Sequence, residues 1–84
     1  MTGFAEFMAE MYQGIESADE KHGAWENTPL RECLNPINDE VDELCNAVCA
    51  DDIDGPHGVK AEAVQVAVTA FKMWRRCDLI PHTG

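Results

Sequence analysis

Hydrophobic positions recur at helical spacing in three stretches of the chain. Between about residues 3 and 21, Phe4, Met8, Met11, Ile15 and Ala18 repeat at four-three-four-three intervals. An α-helix completes a turn in about 3.6 residues, so this spacing draws one apolar stripe along a helix. Phe7 and Tyr12 widen it. The run closes on "KHG", where Gly23 suits a C-terminal cap and Lys21 faces the negative end of the helix dipole. Thr28-Pro29 reads as N-cap and first residue of a second helix, about 30–51. Within it, Pro36 lacks an amide donor and its ring clashes one turn back, so a kink is predicted at 35–36, or a restart with Asn35 as a second cap. Ile37, Val41, Leu44 and Val48 then form a stripe flanked by Cys45, and the Asp-, Gly- and Pro-rich "DDIDGPHG" ends it. The third helix, about 59–76, carries Val64, Ala67, Phe71 and Trp74 on one line with Val68 beside it, and Arg75-Arg76 suit its C-terminal end. Residues 78–84 read as a tail stopped by Pro81.

The chain is therefore read as all-α, a single domain over 1–84 with no strands. Three amphipathic helices in 84 residues give a thin core. The surplus Met and aromatic positions of the first helix predict a homodimer or homotetramer in which copies complete a four-helix-type bundle.

Charge narrows the choice of partners. Sixteen acids against six basic residues give a formal charge of −10. Such a surface repels nucleic-acid backbones and anionic membranes and attracts divalent cations or basic proteins. No segment approaches the ~20 apolar residues of a membrane span. The opening "MTGFAEFMAEMY" holds acids and no Lys or Arg, unlike a signal peptide, so a cytoplasmic location is the expectation. Four cysteines, Cys33, Cys45, Cys49 and Cys77, include no C-x-x-C. Cys45 and Cys49, one helical turn apart, are compatible with zinc alongside His22 or His57, but small buried residues is the better reading, because cysteine packs as a small hydrophobe.

The acids themselves are patterned. "NDEVDEL" sets Glu40 and Glu43 three apart, so they point the same way beside the Val41–Leu44 seam, while Asp39 and Asp42 look like solvated neighbours. Glu62 and Gln65 repeat that arrangement on the third helix. Packing of the two seams lets these positions converge into an all-oxygen site of the kind hard divalent cations take. Acids at helical spacing also make ordinary solvated faces, so spacing alone leaves both readings open. Glu62, Gln65, Thr69, Lys72 and Arg76 follow one helical line, placing a metal end and a cationic end along one groove, as a polyphosphate requires. Lys72 and Arg76 are equally compatible with plain last-turn cations.

These motifs resemble the MazG-like all-α nucleoside triphosphate pyrophosphohydrolases, which show E-x-x-E on one helix and E-x-x-D on the next. Here the halves are "NDEVDELCNAV" and "KAEAVQVAVTAF", and the upstream "ADEKHGAWENTPLRECLNPI" is similar to the short phage-type branch, so the resemblance runs from about Met11 to Arg76. It implies hydrolysis of an NTP or dNTP to the monophosphate and pyrophosphate, with Mg²⁺ (Mn²⁺ as a substitute) held by Glu40, Glu43, Glu62 and Gln65. It further implies that Glu43 accepts the proton of the attacking water and that Lys21 and Trp25 meet the substrate, while Lys72 and Arg76, on the cationic end of the groove, or Arg75, would stand in for phosphate ligands that many relatives carry further on. Trp25 would stack on the base; alternatively it caps the core between the first two helices. Two departures stand out. Gln65 replaces the usual Asp and brings an oxygen without charge, and the chain ends at Gly84 where many relatives continue into further phosphate ligands. Both motivate a second hypothesis, a non-catalytic acidic interaction protein derived from the same fold.

Overall fold

A computed structural model describes residues 2–79. Three helices follow in order, α1 (Phe4–His22), α2 (Leu30–Cys49) and α3 (Val59–Leu79), and no strand occurs among the described residues. α3 is the central element: α1 and α2 each pack on it and not on one another. α1 runs parallel to α3, since Gly14 meets Val68 and Asp19 meets Arg75. α2 runs antiparallel to it, joined at one end by Arg76 bonding to Thr28 and at the other by Val59 bonding to Asp52. Two helices leaning on a third without touching leave a groove between them, with α3 as its floor. No helix of the described residues is long and apolar enough to cross a membrane.

Helix ends differ from the sequence expectation in instructive ways. Gly23 does close α1: at φ 69° and ψ −171° it occupies a region essentially reserved for glycine, and its N–H donates to Asp19 O at 2.9 Å. Thr28 does not cap α2. Pro29 holds the N-cap position, no side chain bonds the first turn, and the carbonyl of Thr28 instead accepts Arg76 Nε at 2.9 Å. Asn35 is no second cap either, because α2 runs unbroken through Pro36. Only the bond from Pro36 to the Glu32 carbonyl is missing. Packing on α3 from both sides of the proline, through buried Cys33 before it and buried Ala47 after it, holds the helix together. α2 stops at Cys49, two residues early, in a Schellman turn: Asp51 takes φ 54° while the N–H groups of Asp51 and Asp52 return to Val48 O and Ala47 O, each at 3.1 Å. α3 extends to Leu79, and the remaining tail, including Pro81, lies outside the described residues.

The core also departs from the apolar stripes. Cys33, Ala47, Val64 and Val68 are its buried apolar members, joined by Glu62, Thr69, Lys72 and Arg76. α3 therefore turns its polar line inward, and Trp74, from the expected stripe, is 66% exposed. The cause is anchoring. Arg75 grips Asp19 through two bonds of 2.7 and 2.9 Å, Lys72 donates to Gly23 O at 2.8 Å, and Arg76 reaches Thr28 O. Charge-assisted bonds to the end of α1 and to the α1–α2 connection thus fix the rotation of α3, which apolar periodicity does not encode. The Arg75 guanidinium, with burial opposing it, holds the Asp19 carboxyl below its ordinary value. On α2, Leu30, Leu34, Ile37, Val41, Leu44 and Val48 share one heptad-spaced line, yet Leu30, Leu34, Val41 and Val48 remain exposed. The face that meets α3 lies beside that line and includes Cys33, Glu40 and Ala47.

Gly14 permits the close approach of α1 to α3. A Cβ there would stand 2.8 Å from Val68 Cγ2. A glycine inside a helix costs about 1 kcal/mol against alanine, so the contact must offset that loss. Gly14→Val is expected to lower unfolding free energy by about 1–3 kcal/mol through overpacking, measured by urea titration followed by circular dichroism. Unchanged or increased stability would show that α1 does not pack at this distance.

Candidate functional site

The floor of the groove is set by α3 and its walls by α1 and α2. It encloses about 750 Å³ and is lined at one end by Glu40, Glu43, Glu62 and Gln65 and at the other by Lys21, Trp25 and Lys72. Seven of the eight residues singled out from the sequence thus line one cavity. Arg76, the eighth, does not. Its Nε is committed to Thr28 O, and its Nη1 is buried without a partner.

Glu40, Glu43 and Glu62 each offer a carboxylate oxygen within 4.8 Å of the others, an arrangement able to hold a metal ion. Glu40 and Glu43 come from adjacent turns of the α2 face beside α3, and Glu62 from the first turn of α3. Glu62 is only 3% exposed. Glu40 Oε2 and Glu62 Oε2 are both buried with no hydrogen-bond partner. At such separations two carboxylates repel by roughly 3–4 kcal/mol at an effective dielectric of 20, and orphaned buried oxygens add a desolvation cost. The strain appears in Glu40, whose carboxyl is pushed up to about 7, first by burial and then by the charges of Glu43 and Glu62. A cation would relieve all of these costs at once, and an all-carboxylate donor set suits Mg²⁺ or Mn²⁺. Asp39 and Asp42 stay exposed and outside the cluster, as solvated neighbours should.

The sequence offers His57 only as a zinc partner for Cys45 and Cys49, and the structure places it beside Glu62 instead. Its Nδ1 lies 3.6 Å from Glu62 Oε1, on a fully open imidazole at the mouth of the groove. The α2–α3 loop carries it there, and no periodicity marks a loop residue. A smaller hollow of about 340 Å³ is shared by Glu43 and Glu62 with Asn46, Asp52 and His57. The cysteines do not assemble a site. All four are free thiols, and the three glutamates are the one potential metal-holding group among the described residues. Of the cysteines only Cys33 is buried; Cys45 and Cys49 face outward, so the small-core-residue reading fails for both, and Cys77 is exposed as well.

At the other end, Trp25 adopts φ 63°, a left-handed backbone conformation that bulky residues rarely take. Lys72 Nζ lies 4.8 Å from the centre of its ring. Glu62 and Lys72 are ten positions apart on one helix, so the two ends of the groove are separated by about 15 Å.

No protein-family model, curated protein or solved structure matches the chain.

Proposed function

We propose that the protein is a divalent-cation-dependent nucleotide pyrophosphohydrolase that converts an NTP or dNTP to the monophosphate and pyrophosphate. The observation carrying this reading is the cluster of Glu40, Glu43 and Glu62, two of whose buried oxygens lack any partner, at one end of a groove that ends in Trp25. The order of acids that resembles MazG-like enzymes supports it. Glu40, Glu43 and Glu62 would hold Mg²⁺, with Gln65 offering a neutral amide oxygen from α3, one turn after Glu62. Bound Mg²⁺ supplies charge neutralisation on the phosphates and a water of lowered pKa. The chain's own groups do the rest. Lys21, exposed at the rim, draws the anionic substrate in past a net negative surface. Trp25 receives the base. Glu43, the exposed member of the cluster, accepts the proton as the water oxygen bonds the α-phosphorus. The bond from that phosphorus to the bridging oxygen breaks, and pyrophosphate leaves.

The outward line of Leu30, Leu34, Val41 and Val48 supports a homodimer built on a heptad-spaced seam of α2. Sedimentation equilibrium is expected to give twice the protomer mass, and a persistent monomer would exclude this arrangement. The activity is tested by pyrophosphate release from a panel of NTPs and dNTPs with Mg²⁺ or Mn²⁺. Release that depends on the metal is expected from at least one nucleotide. No turnover of any nucleotide, together with no Mg²⁺ or Mn²⁺ binding by calorimetry, would leave the acidic interaction protein as the better reading.

A further inference from the structure

Sequence position puts Lys72 on the helical line that begins at Glu62, where a cation suits a polyphosphate or simply the last turns of the helix. Its surroundings point elsewhere. The side chain is 1% exposed, and Nζ donates to Gly23 O at 2.8 Å. It lies 3.5 Å from Asp19 Oδ1 and over the ring of Trp25. An ammonium has three donors, and these three neighbours surround it. The same neighbours fix the segment that carries Trp25. Gly23 O is held by Lys72, Trp25 O accepts the N–H of Thr28 at 3.0 Å, and Thr28 O is held by Arg76. Trp25 is thereby kept at φ 63°, a conformation that persists only when its surroundings impose it.

We infer that Lys72 is a positioning residue: it holds the Trp25 indole as the platform on which the nucleobase stacks, and it does not contact the phosphates. The inference rests on the nucleotide reading above and assigns a different task to a residue that charge alone would place on the triphosphate. Asp19 completes the device by balancing Lys72 while gripping Arg75. A cation against an indole face gains from the ring quadrupole, so the pair is held by attraction as well as by shape.

The experiment uses a Trp74→Phe parent, in which Trp25 is the single tryptophan. Nucleoside monophosphates in EDTA are expected to quench its fluorescence, and Lys72→Met is expected to weaken that binding roughly tenfold, within the range a base–aromatic stack contributes. In turnover, Lys72→Met raises KM for nucleotides by a similar factor at nearly constant kcat. The loss is confined to substrates that carry a base, so inorganic tripolyphosphate does not show it. Trp25→Leu, which leaves the buried lysine in place, reproduces the turnover pattern, a raised KM for nucleotides and not for tripolyphosphate, if Lys72→Met fails to fold. In the double variant the two effects do not add, because one residue acts through the other. Equal losses on nucleotide and tripolyphosphate, additive effects, or no quenching by any nucleotide would overturn the inference. Quenching sensitive to Lys72→Met in a parent without turnover would support the inference and sink the hydrolase reading instead.

Discussion

Glu62→Gln is expected to abolish metal-dependent pyrophosphate release while leaving the helices intact. The substitution keeps the shape of the side chain and removes its charge at the most buried member of the cluster. A carboxylate whose Oε2 has no partner in the protein is either a cation ligand or an unrelieved cost. As a ligand its loss should lower kcat/KM at least about 100-fold, the upper end of what removal of an outer-shell partner alone costs a metal site. Far-ultraviolet circular dichroism should be unchanged, because an amide is cheaper to bury than a charge. The metal-free variant should melt higher than the parent, since one of three mutually repelling groups has gone. The measurement is single-turnover pyrophosphate release with Mg²⁺, paired with calorimetric titration of Mn²⁺. Retained turnover, or unaltered Mn²⁺ affinity, would remove Glu62 from the site and the proposed chemistry with it.

How much of this was legible in the sequence follows from which interactions are local. Helix positions were legible because the 3.6-residue period and the glycine at 23 act over one turn. The convergence of Glu40, Glu43 and Glu62 was legible in part, because spacing puts two acids on one face and two helices in one hairpin. The rotation of α3 was not. It depends on Asp19 gripping Arg75 and on two backbone carbonyls bonded by Lys72 and Arg76, contacts that span some fifty positions of chain. The apolar stripe therefore mis-stated which face is inside, and Trp74 stands exposed where a core residue was expected. The Schellman turn at Asp51 was hidden because an aspartate takes the place where glycine usually signals it. The place of His57 beside Glu62 was hidden because loops place side chains without a period.

The second large effect concerns Glu40, and its sign depends on whether metal is present. The Glu40 carboxyl is raised from an ordinary 4.5 to about 7. The folded protein therefore binds this proton more tightly than the unfolded chain does. Its stabilising contribution is full below about pH 4.5 and is lost as pH rises through about 7. Metal-free protein should accordingly lose stability between those limits. A shift of this size corresponds to about 3 kcal/mol, and partial exposure of the side chain reduces the expected loss to about 1–2 kcal/mol. Glu40→Gln removes the titration, so in EDTA above pH 7 it should be more stable than the parent by that amount, and flat across the same range. Saturating Mg²⁺ or Mn²⁺ reverses the order. A ligand at one hundred times its dissociation constant adds about 2.7 kcal/mol to a protein that binds it, and the variant, short of one carboxylate, should gain little. Urea unfolding above pH 7, with and without metal, reads both arms. A variant no more stable than the parent in EDTA would mean that Glu40 is not strained by its neighbours. Equal stabilisation of both proteins by metal would mean that the strain is not there to hold a cation.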